Sequence, residues 1–147
     1  MVDNLTGEQR SANMAAIRGK NTAPEMLIRS ILHRLGYRFR LHRRDLPGTP
    51  DIVFPARKGV MFVHGCFWHG HKCPRGVVPS SNVDFWQTKI AKNRERDRRA
   101  QRQLRREGWK VLIIWECEMK NKDKLAKRLS RFLERCSENV NNKVFSE

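Results

Sequence analysis

The chain has 147 residues, the usual size of one compact domain, and 31 Lys and Arg against 15 Asp and Glu give it a formal net charge of +16. Hydrophobic residues make up 39% of the chain, with four Trp and seven Phe, which excludes a disordered basic tail. The longest apolar run spans residues 111–115 and is too short for a membrane span or a signal peptide. We therefore expect one folded domain over residues 1–147 that binds no membrane and whose partner is a polyanion such as nucleic acid.

The first long helix is predicted to begin at Thr22. The TAPE sequence at residues 22–25 is typical of a capping box, with Thr22 as the cap and Glu25 reaching back to it. Apolar residues follow at helical spacing until Gly36, which favours the end of the helix. A shorter helix is predicted over residues 11–18.

Three short strands are predicted next. Residues 37–41 alternate apolar and polar side chains, which is typical of a half-buried strand. Turn-forming residues at 46–50 lead to a strand over 51–54, and a second turn leads to a strand over 60–63 that ends at His64. The last two strands are expected to form a hairpin.

A loop over residues 65–81, rich in Gly, Pro, Cys and His, separates this hairpin from a long helix. Residues 84–107 contain neither Gly nor Pro and are predicted to be helical, and residues 109–115 form an apolar strand. A helix that connects two strands favours parallel pairing between them. A final amphipathic helix is predicted over residues 122–135, with Cys136 as a free thiol. The expected fold is α/β, a mixed sheet flanked by helices.

Three cysteines and the nearby histidines predict a zinc site built on Cys66, Cys73 and Cys117. Parallel pairing would bring Cys117, which follows the last strand, to the loop that holds the other two cysteines. Three thiolates and one imidazole form a closed, tetrahedral zinc site of the structural type. The spacing leaves the imidazole open between His69 and His71. Three unrelated buried thiols are the alternative interpretation.

Asp51 follows a proline at the start of one predicted strand, and the neighbouring strand ends at His64. A carboxylate in this position can hold Mg²⁺, which prefers oxygen ligands. Many restriction-type nucleases carry Pro-Asp on one strand and an acid-x-Lys pattern on the next, and the segment at residues 62–64 matches this pattern only in part. The alternative is that Asp51 merely begins a strand after a turn.

Asp97 is predicted to face inward from the long helix. Trp86, Ile90, Asp97 and Leu104 fall on one stripe, because seven residues make nearly two helical turns. A buried carboxylate needs a partner, which is either a neighbouring arginine or a histidine of an active site.

The long helix carries a strong excess of positive charge. Lys and Arg occupy nine of the eighteen residues at 89–106, against Glu95 and Asp97. Solvated helices usually balance their charges, so contact with phosphates is favoured. The aromatic pairs at residues 67–68 and 85–86 either fill the core or form wedges that enter DNA.

The residues FVHGCFWHGHKC at 62–73 closely resemble the very short patch repair (Vsr) endonucleases of bacteria. Further segments resemble the same family in the same order: RSANM at 10–14, LPGTPD at 46–51, KNRERD at 92–97 and WEC at 115–117. The resemblance covers residues 10–117, and its most specific motif is the segment that ends at Cys73.

This resemblance implies a restriction-endonuclease-like fold and a Mg²⁺-dependent endonuclease that nicks one DNA strand. The expected substrate is double-stranded DNA with a T:G mismatch, which arises when 5-methylcytosine deaminates, and the expected cut lies 5′ to the mismatched T. We also expect a monomer in the bacterial cytoplasm, at the nucleoid, with other mismatch-repair proteins as further partners.

The resemblance further implies a catalytic set of five side chains: Asp51, His69, Asp97, His64 and Glu25. Asp51 would hold Mg²⁺ together with the main-chain carbonyl of Val63. His69 would be the general base, oriented by Asp97. The remaining two side chains would support a second metal ion and its waters.

The same resemblance implies that the structural zinc ligands are Cys66, His71, Cys73 and Cys117. An intercalating wedge is implied for Phe67, Trp68 and Trp86. Further DNA contacts are implied for Met14, Lys89, Lys92, Asn93 and Arg94. Residues 1–20 would contact DNA, and residues 119–147 would form a C-terminal helix and a variable tail.

Two other functions remain compatible with these residues. A zinc-stabilised, non-catalytic DNA-binding module would need the basic helix and the cysteines but not Asp51 and His69. A nuclease selective for branched DNA could use the same scaffold.

Overall fold

A four-stranded sheet organises the computed structural model, which describes the backbone of residues 22–145 and the side chains of residues 22–136. The helix predicted over residues 11–18 and the DNA contact predicted for Met14 lie outside the described residues. The helices and strands, in chain order, are α1 (Ala23–Arg34), β1 (Arg40–Leu41), β2 (Ile52–Phe54), β3 (Gly59–His64), α2 (Val83–Arg106), β4 (Lys110–Trp115) and α3 (Lys122–Phe145).

The predicted start and end of α1 are confirmed. The Thr22 side chain accepts a hydrogen bond from the main-chain N–H of Glu25 at 3.3 Å, which satisfies one of the free donors at the helix start. Gly36 has a φ of +85°, a left-handed conformation that glycine adopts without strain. The carboxylate of Glu25, which the capping box predicts to reach back to Thr22, points toward His42 instead, as described below.

The strand order is β1-β2-β3-β4, and the sheet is mixed as predicted. The pairs β1–β2 and β2–β3 are antiparallel, whereas β3 and β4 are parallel from Gly59–Lys110 to His64–Trp115. The crossover helix α2 connects these parallel strands, because parallel neighbours cannot be joined by a tight turn. The chain therefore leaves β3 and β4 at the same edge of the sheet.

Helices cover both faces of the sheet. One face packs against α1 and α3 and is formed by Ile52, Phe54, Met61 and Ile114. The other face packs against α2 and is formed by Val53, Val60 and Phe62, with Leu104 and Trp109. Because side chains alternate along a strand, His64 shares the α2 side with Phe62, and their ring centroids lie 5.8 Å apart. This alternation directs His64 toward the helix that carries Asp97.

Two predicted boundaries differ from the structure by more than one residue. The strand expected over residues 37–41 is paired only at Arg40–Leu41. Tyr37 and Phe39 instead place their rings against Phe54, at centroid distances of 6.5 and 6.1 Å, so their alternation reflects one-sided burial without pairing. The last helix runs on to Phe145, beyond the predicted end at residue 135. No helix among the described residues is long and apolar enough to cross a membrane.

Candidate active site and cysteine cluster

A cavity of about 430 Å³ opens at the edge of the sheet where β2 begins and β3 ends. Seven of the predicted site residues line it: Asp51, Val63, His64, His69 and Asp97 of the predicted catalytic centre, together with Trp68 and Asn93. They come from three separate parts of the chain, namely the start of β2, the end of β3 with its following loop, and the middle of α2. The fold thus brings four of the five predicted catalytic side chains to one cavity, whereas the fifth, Glu25, is not among the residues that line it.

His69 and Asp97 form a direct pair. Nδ1 of His69 lies 2.5 Å from Oδ2 of Asp97, and the two side chains are 21% and 18% exposed. Burial alone would raise the pKa of Asp97, but the hydrogen bond and charge of His69 outweigh it and hold this pKa below its ordinary value. Asp97 is therefore ionised at neutral pH and orients the imidazole through Nδ1. The inward stripe predicted for α2 is confirmed at Ile90, Asp97 and Leu104, whereas its first member, Trp86, is only half-buried.

His64 is 5% exposed and stacks on His69, with ring centroids 3.7 Å apart. Its Nδ1 is buried and has no hydrogen-bond partner among the described residues. Burial, followed by the charge of His69, lowers the pKa of His64 to about 3. His64 is therefore a neutral imidazole at the wall of the cavity.

Asp51 lies one residue before β2, opposite the end of β3. Its Oδ2 accepts a hydrogen bond from the main-chain N–H of Val63 at 2.7 Å. The N–H and C=O of one strand residue point to the same side, so the Val63 carbonyl is directed toward the Asp51 side of β3. Burial raises the pKa of Asp51 to about 7, and this hydrogen bond offsets part of the rise. A desolvated carboxylate and a carbonyl on one side of a strand fit a magnesium ion.

Glu25 reaches this edge of the sheet from α1. It is 2% exposed, and its Oε1 lies 2.5 Å from Nε2 of His42. His42, Glu25 and Asp51 offer ligand atoms that all lie within 4.8 Å of one another. Sequence reasoning did not find His42, because a single histidine after a short strand carries no pattern that points to a carboxylate seventeen residues earlier.

The loop between β1 and β2 lines the cavity and packs tightly against α2. A Cβ atom on Gly48 would lie 2.7 Å from Cβ of Ala100, closer than packed side chains come. The next residue, Thr49, has a φ of +47°, which is unusual for a β-branched residue. Strained backbone of this kind clusters at functional sites.

The four predicted zinc ligands are brought together. The ligand atoms of Cys66, His71, Cys73 and Cys117 all lie within 4.8 Å of one another, and all four cysteines of the chain are free thiols. Sγ of Cys117 is 3.6 Å from Nδ1 of His71, close to the separation of about 3.5 Å that tetrahedral zinc imposes on a sulfur and a nitrogen ligand. The donor set and this separation fit a structural zinc ion. Cys136 is buried against the α1–α3 face, outside the cluster, as predicted.

Burial raises the pKa of the Cys66 thiol, whereas hydrogen bonds from His71 and Cys66 outweigh burial and lower the pKa of Cys73.

The loop that carries these residues is folded tightly. A Cβ on Gly76 would lie 2.0 Å from the main-chain oxygen of His71, so only glycine fits there. The ring of Trp115 stacks on His71, with centroids 4.1 Å apart.

The three predicted wedge residues form one aromatic cluster. Phe67 lies 5.1 Å from Trp68 and 5.3 Å from Trp86, and the two tryptophans are 6.0 Å apart. All three side chains are half-buried, and none belongs to the two cores of the sheet. Trp86 thus packs against the loop rather than the sheet. The neighbouring Phe85 is 58% exposed.

The basic face of α2 borders this aromatic cluster. Nζ of Lys89 lies 5.5 Å from the ring centroid of Trp68, and Lys92 and Arg94 are exposed. Asn93 differs from them, because it is 8% exposed and its amide donates a hydrogen bond to the main-chain oxygen of Trp68 at 3.0 Å. Asn93 therefore supports the aromatic loop, and its contact with DNA stays a prediction.

Among solved structures, the chain is similar to the catalytic domain of the homing endonuclease I-Bth0305I. The two share 20% sequence identity and superpose with a TM-score of 0.55 over 79% of this chain and 98% of that one. The fold described here, a mixed sheet flanked by helices, is therefore shared with the catalytic domain of an endonuclease.

The sequence comparisons define the class further. A profile of the family described as DNA mismatch endonuclease Vsr matches residues 2–75. The type II nicking enzyme V.XorIIP of Xanthomonas oryzae pv. oryzae is 54% identical over 91% of this chain and 98% of its own length. The DNA mismatch endonuclease Vsr of Escherichia coli K12 is 47% identical over 79% of this chain and 74% of its own length. This chain is a DNA endonuclease, and it belongs to the Vsr family.

Proposed function

We propose that this endonuclease nicks one strand of duplex DNA on the 5′ side of the T in a T:G mismatch, the mispair left when 5-methylcytosine deaminates. The observation that carries the proposal is that a histidine–carboxylate pair and a carboxylate that can bind magnesium line one cavity. The His69–Asp97 pair and Asp51 with the end of β3 line the same cavity. Its relatives support the finer points, since one is named a mismatch endonuclease and others are named nicking enzymes.

His69 is proposed as the general base. Asp97 occupies Nδ1, so Nε2 is left to take a proton from the water that attacks the phosphorus. The ionised Asp97 then stabilises the imidazolium that forms, because its pKa lies below the ordinary value. As the proton moves to His69, the water oxygen bonds to phosphorus and the bond between phosphorus and the 3′ oxygen breaks. The 3′ oxygen takes a proton from solvent, which gives a 3′-hydroxyl on one side of the nick and a 5′-phosphate on the other.

Asp51 and the main-chain carbonyl of Val63 are proposed to hold a magnesium ion, with Glu25 and His64 supporting a second metal ion and its waters. Bound there, the ion would supply a Lewis acid that neutralises phosphate charge and lowers the pKa of a bound water. The chain contributes a desolvated carboxylate fixed by the N–H of Val63, which leaves the other oxygen of Asp51 available.

The aromatic cluster of Phe67, Trp68 and Trp86 is proposed to enter the DNA at the mismatched step. A wobble pair stacks less well than a Watson–Crick pair, so opening the step costs less there. Lys89, Lys92 and Arg94 would contact the flanking phosphates, and affinity should fall steeply with salt.

The cysteine cluster is proposed to hold one structural zinc ion that ties the loop after β3 to the end of β4. We further propose that the enzyme acts as a monomer in the bacterial cytoplasm, at the nucleoid, where it meets its DNA substrate and other mismatch-repair proteins.

The test is a nicking assay with end-labelled duplexes that differ only in one base pair, T:G or T:A, with and without Mg²⁺. The expected result is a single break 5′ to the mismatched T, leaving a 5′-phosphate, and no product from Asp51→Ala. Equal cutting of the T:A duplex would contradict mismatch specificity. Binding without any product at excess enzyme would favour a non-catalytic module, and faster cutting of branched duplexes would favour a structure-selective nuclease.

A further inference from the structure

His42 lies between the two carboxylates that border the proposed magnesium position. Its Nε2 is 2.5 Å from Oε1 of Glu25, and its main-chain N–H donates a hydrogen bond to the main-chain oxygen of Asp51 at 3.2 Å. The side chain is 13% exposed and lines the cavity. One residue is thus bonded to both carboxylate-bearing residues, through its ring to one and through its backbone to the other.

The backbone of His42 adopts a conformation that most residues avoid. Its φ is +48°, in the left-handed region, where histidine is tolerated better than branched or bulky residues are. This conformation turns the chain after β1 so that the N–H faces Asp51 while the ring faces Glu25. Such conformations persist only where the surrounding contacts hold them.

Glu25 needs this partner because its carboxylate is 2% exposed. Oε1 is held by His42, and Oε2 lies 3.2 Å from Nη2 of Arg29. A buried carboxylate held at both oxygens has a restricted orientation, and removal of the partner at one oxygen loosens that restriction. His42 and Arg29 therefore both contribute to the direction of the Glu25 carboxylate relative to Asp51.

We propose that His42 is a positioning residue that sets the affinity of the Glu25–Asp51 edge for a divalent cation. It does so by orienting the Glu25 carboxylate and by fixing the main chain at Asp51, without touching the DNA or the reacting atoms. The proposal rests on the magnesium position of the proposed function. Residues that orient the ligands of a metal commonly change its affinity by about 10–100-fold when replaced.

Two substitutions separate this role from simple support of the fold. His42→Ala removes the donor to Glu25, whereas His42→Gln keeps an amide N–H of similar reach. His33→Ala serves as the matched control, since His33 is exposed on α1 and packs on Phe39, away from the cavity.

The first readout is the binding of Mn²⁺ to the zinc-loaded protein without DNA, followed by electron paramagnetic resonance. We expect His42→Ala to weaken Mn²⁺ binding about tenfold or more. The Mn²⁺ affinities of His42→Gln and His33→Ala should stay within about threefold of the parent's affinity. Wild-type affinity in His42→Ala, or loss in His42→Gln equal to that in His42→Ala, would overturn the proposal.

The second readout is the Mg²⁺ dependence of T:G nicking. His42→Ala should raise the Mg²⁺ concentration needed for half-maximal rate about as much as it weakens Mn²⁺ binding, with a smaller change in kcat at saturating Mg²⁺. A loss of kcat with unchanged Mg²⁺ dependence would assign His42 a structural role only. A wild-type protein that binds Mn²⁺ with the predicted ranking of variants but cuts no T:G duplex would contradict the proposed function and leave this inference standing.

Discussion

His64 and His69 stack face to face, with ring centroids 3.7 Å apart and planes only 6° from parallel. Two imidazoles this close do not both carry a charge, and burial with the charge of His69 lowers the pKa of His64 from 6.5 to about 3. Below pH 6.5, His64 is therefore protonated in the unfolded chain but stays neutral in the folded chain. This residue lowers the free energy of unfolding progressively as the pH falls from about 6.5 to about 3.

Asp97→Asn should abolish most of the nicking activity while the DNA affinity stays near that of the parent. The neutral amide supplies no countercharge to the imidazole, and its NH2 group can donate to Nδ1, which favours the tautomer that carries its proton on Nε2 and cannot act as the base. We expect a loss of about 10²–10⁴-fold in single-turnover rate. The matched control is Glu95→Gln, which makes the same charge change on an exposed side of the same helix. An equal loss in Glu95→Gln would contradict a specific role for Asp97.

Asp51→Asn should stabilise the metal-free protein, and more so at high pH. Burial raises the pKa of Asp51 from 3.8 to about 7, so its ionisation opposes folding as the pH rises through that window. The gain in the free energy of unfolding over the parent, measured with urea, should grow between pH 4 and pH 8. It should reach about 4 kcal/mol at most, since each pKa unit corresponds to about 1.4 kcal/mol. Mg²⁺ or Mn²⁺ should reduce the gain, because a cation stabilises the ionised carboxylate of the folded state.

The control for that experiment is Asp45→Asn. Asp45 is exposed and pairs with Arg43, whose hydrogen bond lowers the pKa of Asp45, so its titration has the opposite sign. Asp45→Asn should therefore give no gain that grows with pH. A pH-independent effect of Asp51→Asn would show that the carboxylate is not desolvated in the folded protein.

Cys117→Ser should lower the zinc content of the purified protein and destabilise the fold, because the cluster joins the loop after β3 to the end of β4. Cys136→Ala removes another buried thiol, outside the cluster, and should leave the zinc content at one ion per chain. Elemental analysis and thermal unfolding measure the two effects. Equal zinc content in Cys117→Ser and the parent would contradict the assignment of the fourth ligand.

Phe67→Ala should lower the ratio of affinities for T:G over T:A duplexes, and its effect on the free energy of unfolding should be smaller. Phe67 contacts the half-buried rings of Trp68 and Trp86 and belongs to neither core of the sheet, so its loss removes no side chain from those cores. Stacking of one aromatic ring on a base contributes about 1–3 kcal/mol, which corresponds to a loss of about 5–150-fold in affinity. Fluorescence anisotropy with both duplexes measures the ratio. An unchanged ratio of affinities would argue against entry of Phe67 into the base step.

Much of this site could be predicted because its cues are local. The seven-residue spacing from Ile90 to Asp97 and Leu104 predicts an inward carboxylate, and the structure places it on His69. Periodicity could not choose between an arginine and a histidine as its partner, because that choice depends on how the loop after β3 folds back onto α2. The cysteine cluster is similar, since the spacing predicts the metal chemistry but not which histidine joins it.

Other features depend on contacts that no local pattern encodes. His42 meets Glu25 only because β1 pairs with β2 and α1 packs on the same sheet, and its left-handed backbone has no signature in the sequence. Asn93 lies in a run of charged residues typical of a solvated face, yet it is buried because it binds the main chain of Trp68. Expectations based on composition are weakest at such isolated polar positions.

The loop after β3 places Phe67, Trp68 and His69 on consecutive residues, whose Cα atoms are about 3.8 Å apart. Main-chain hydrogen bonds from His69 to Gly65 and from His71 to Cys66 hold this short stretch rigid. In the proposed reaction the loop therefore fixes the distance between the rings that enter the DNA and the histidine that acts at the phosphate. The base step that admits the rings determines which phosphate meets the histidine, so the cut keeps a constant offset from the mismatch whatever the flanking sequence.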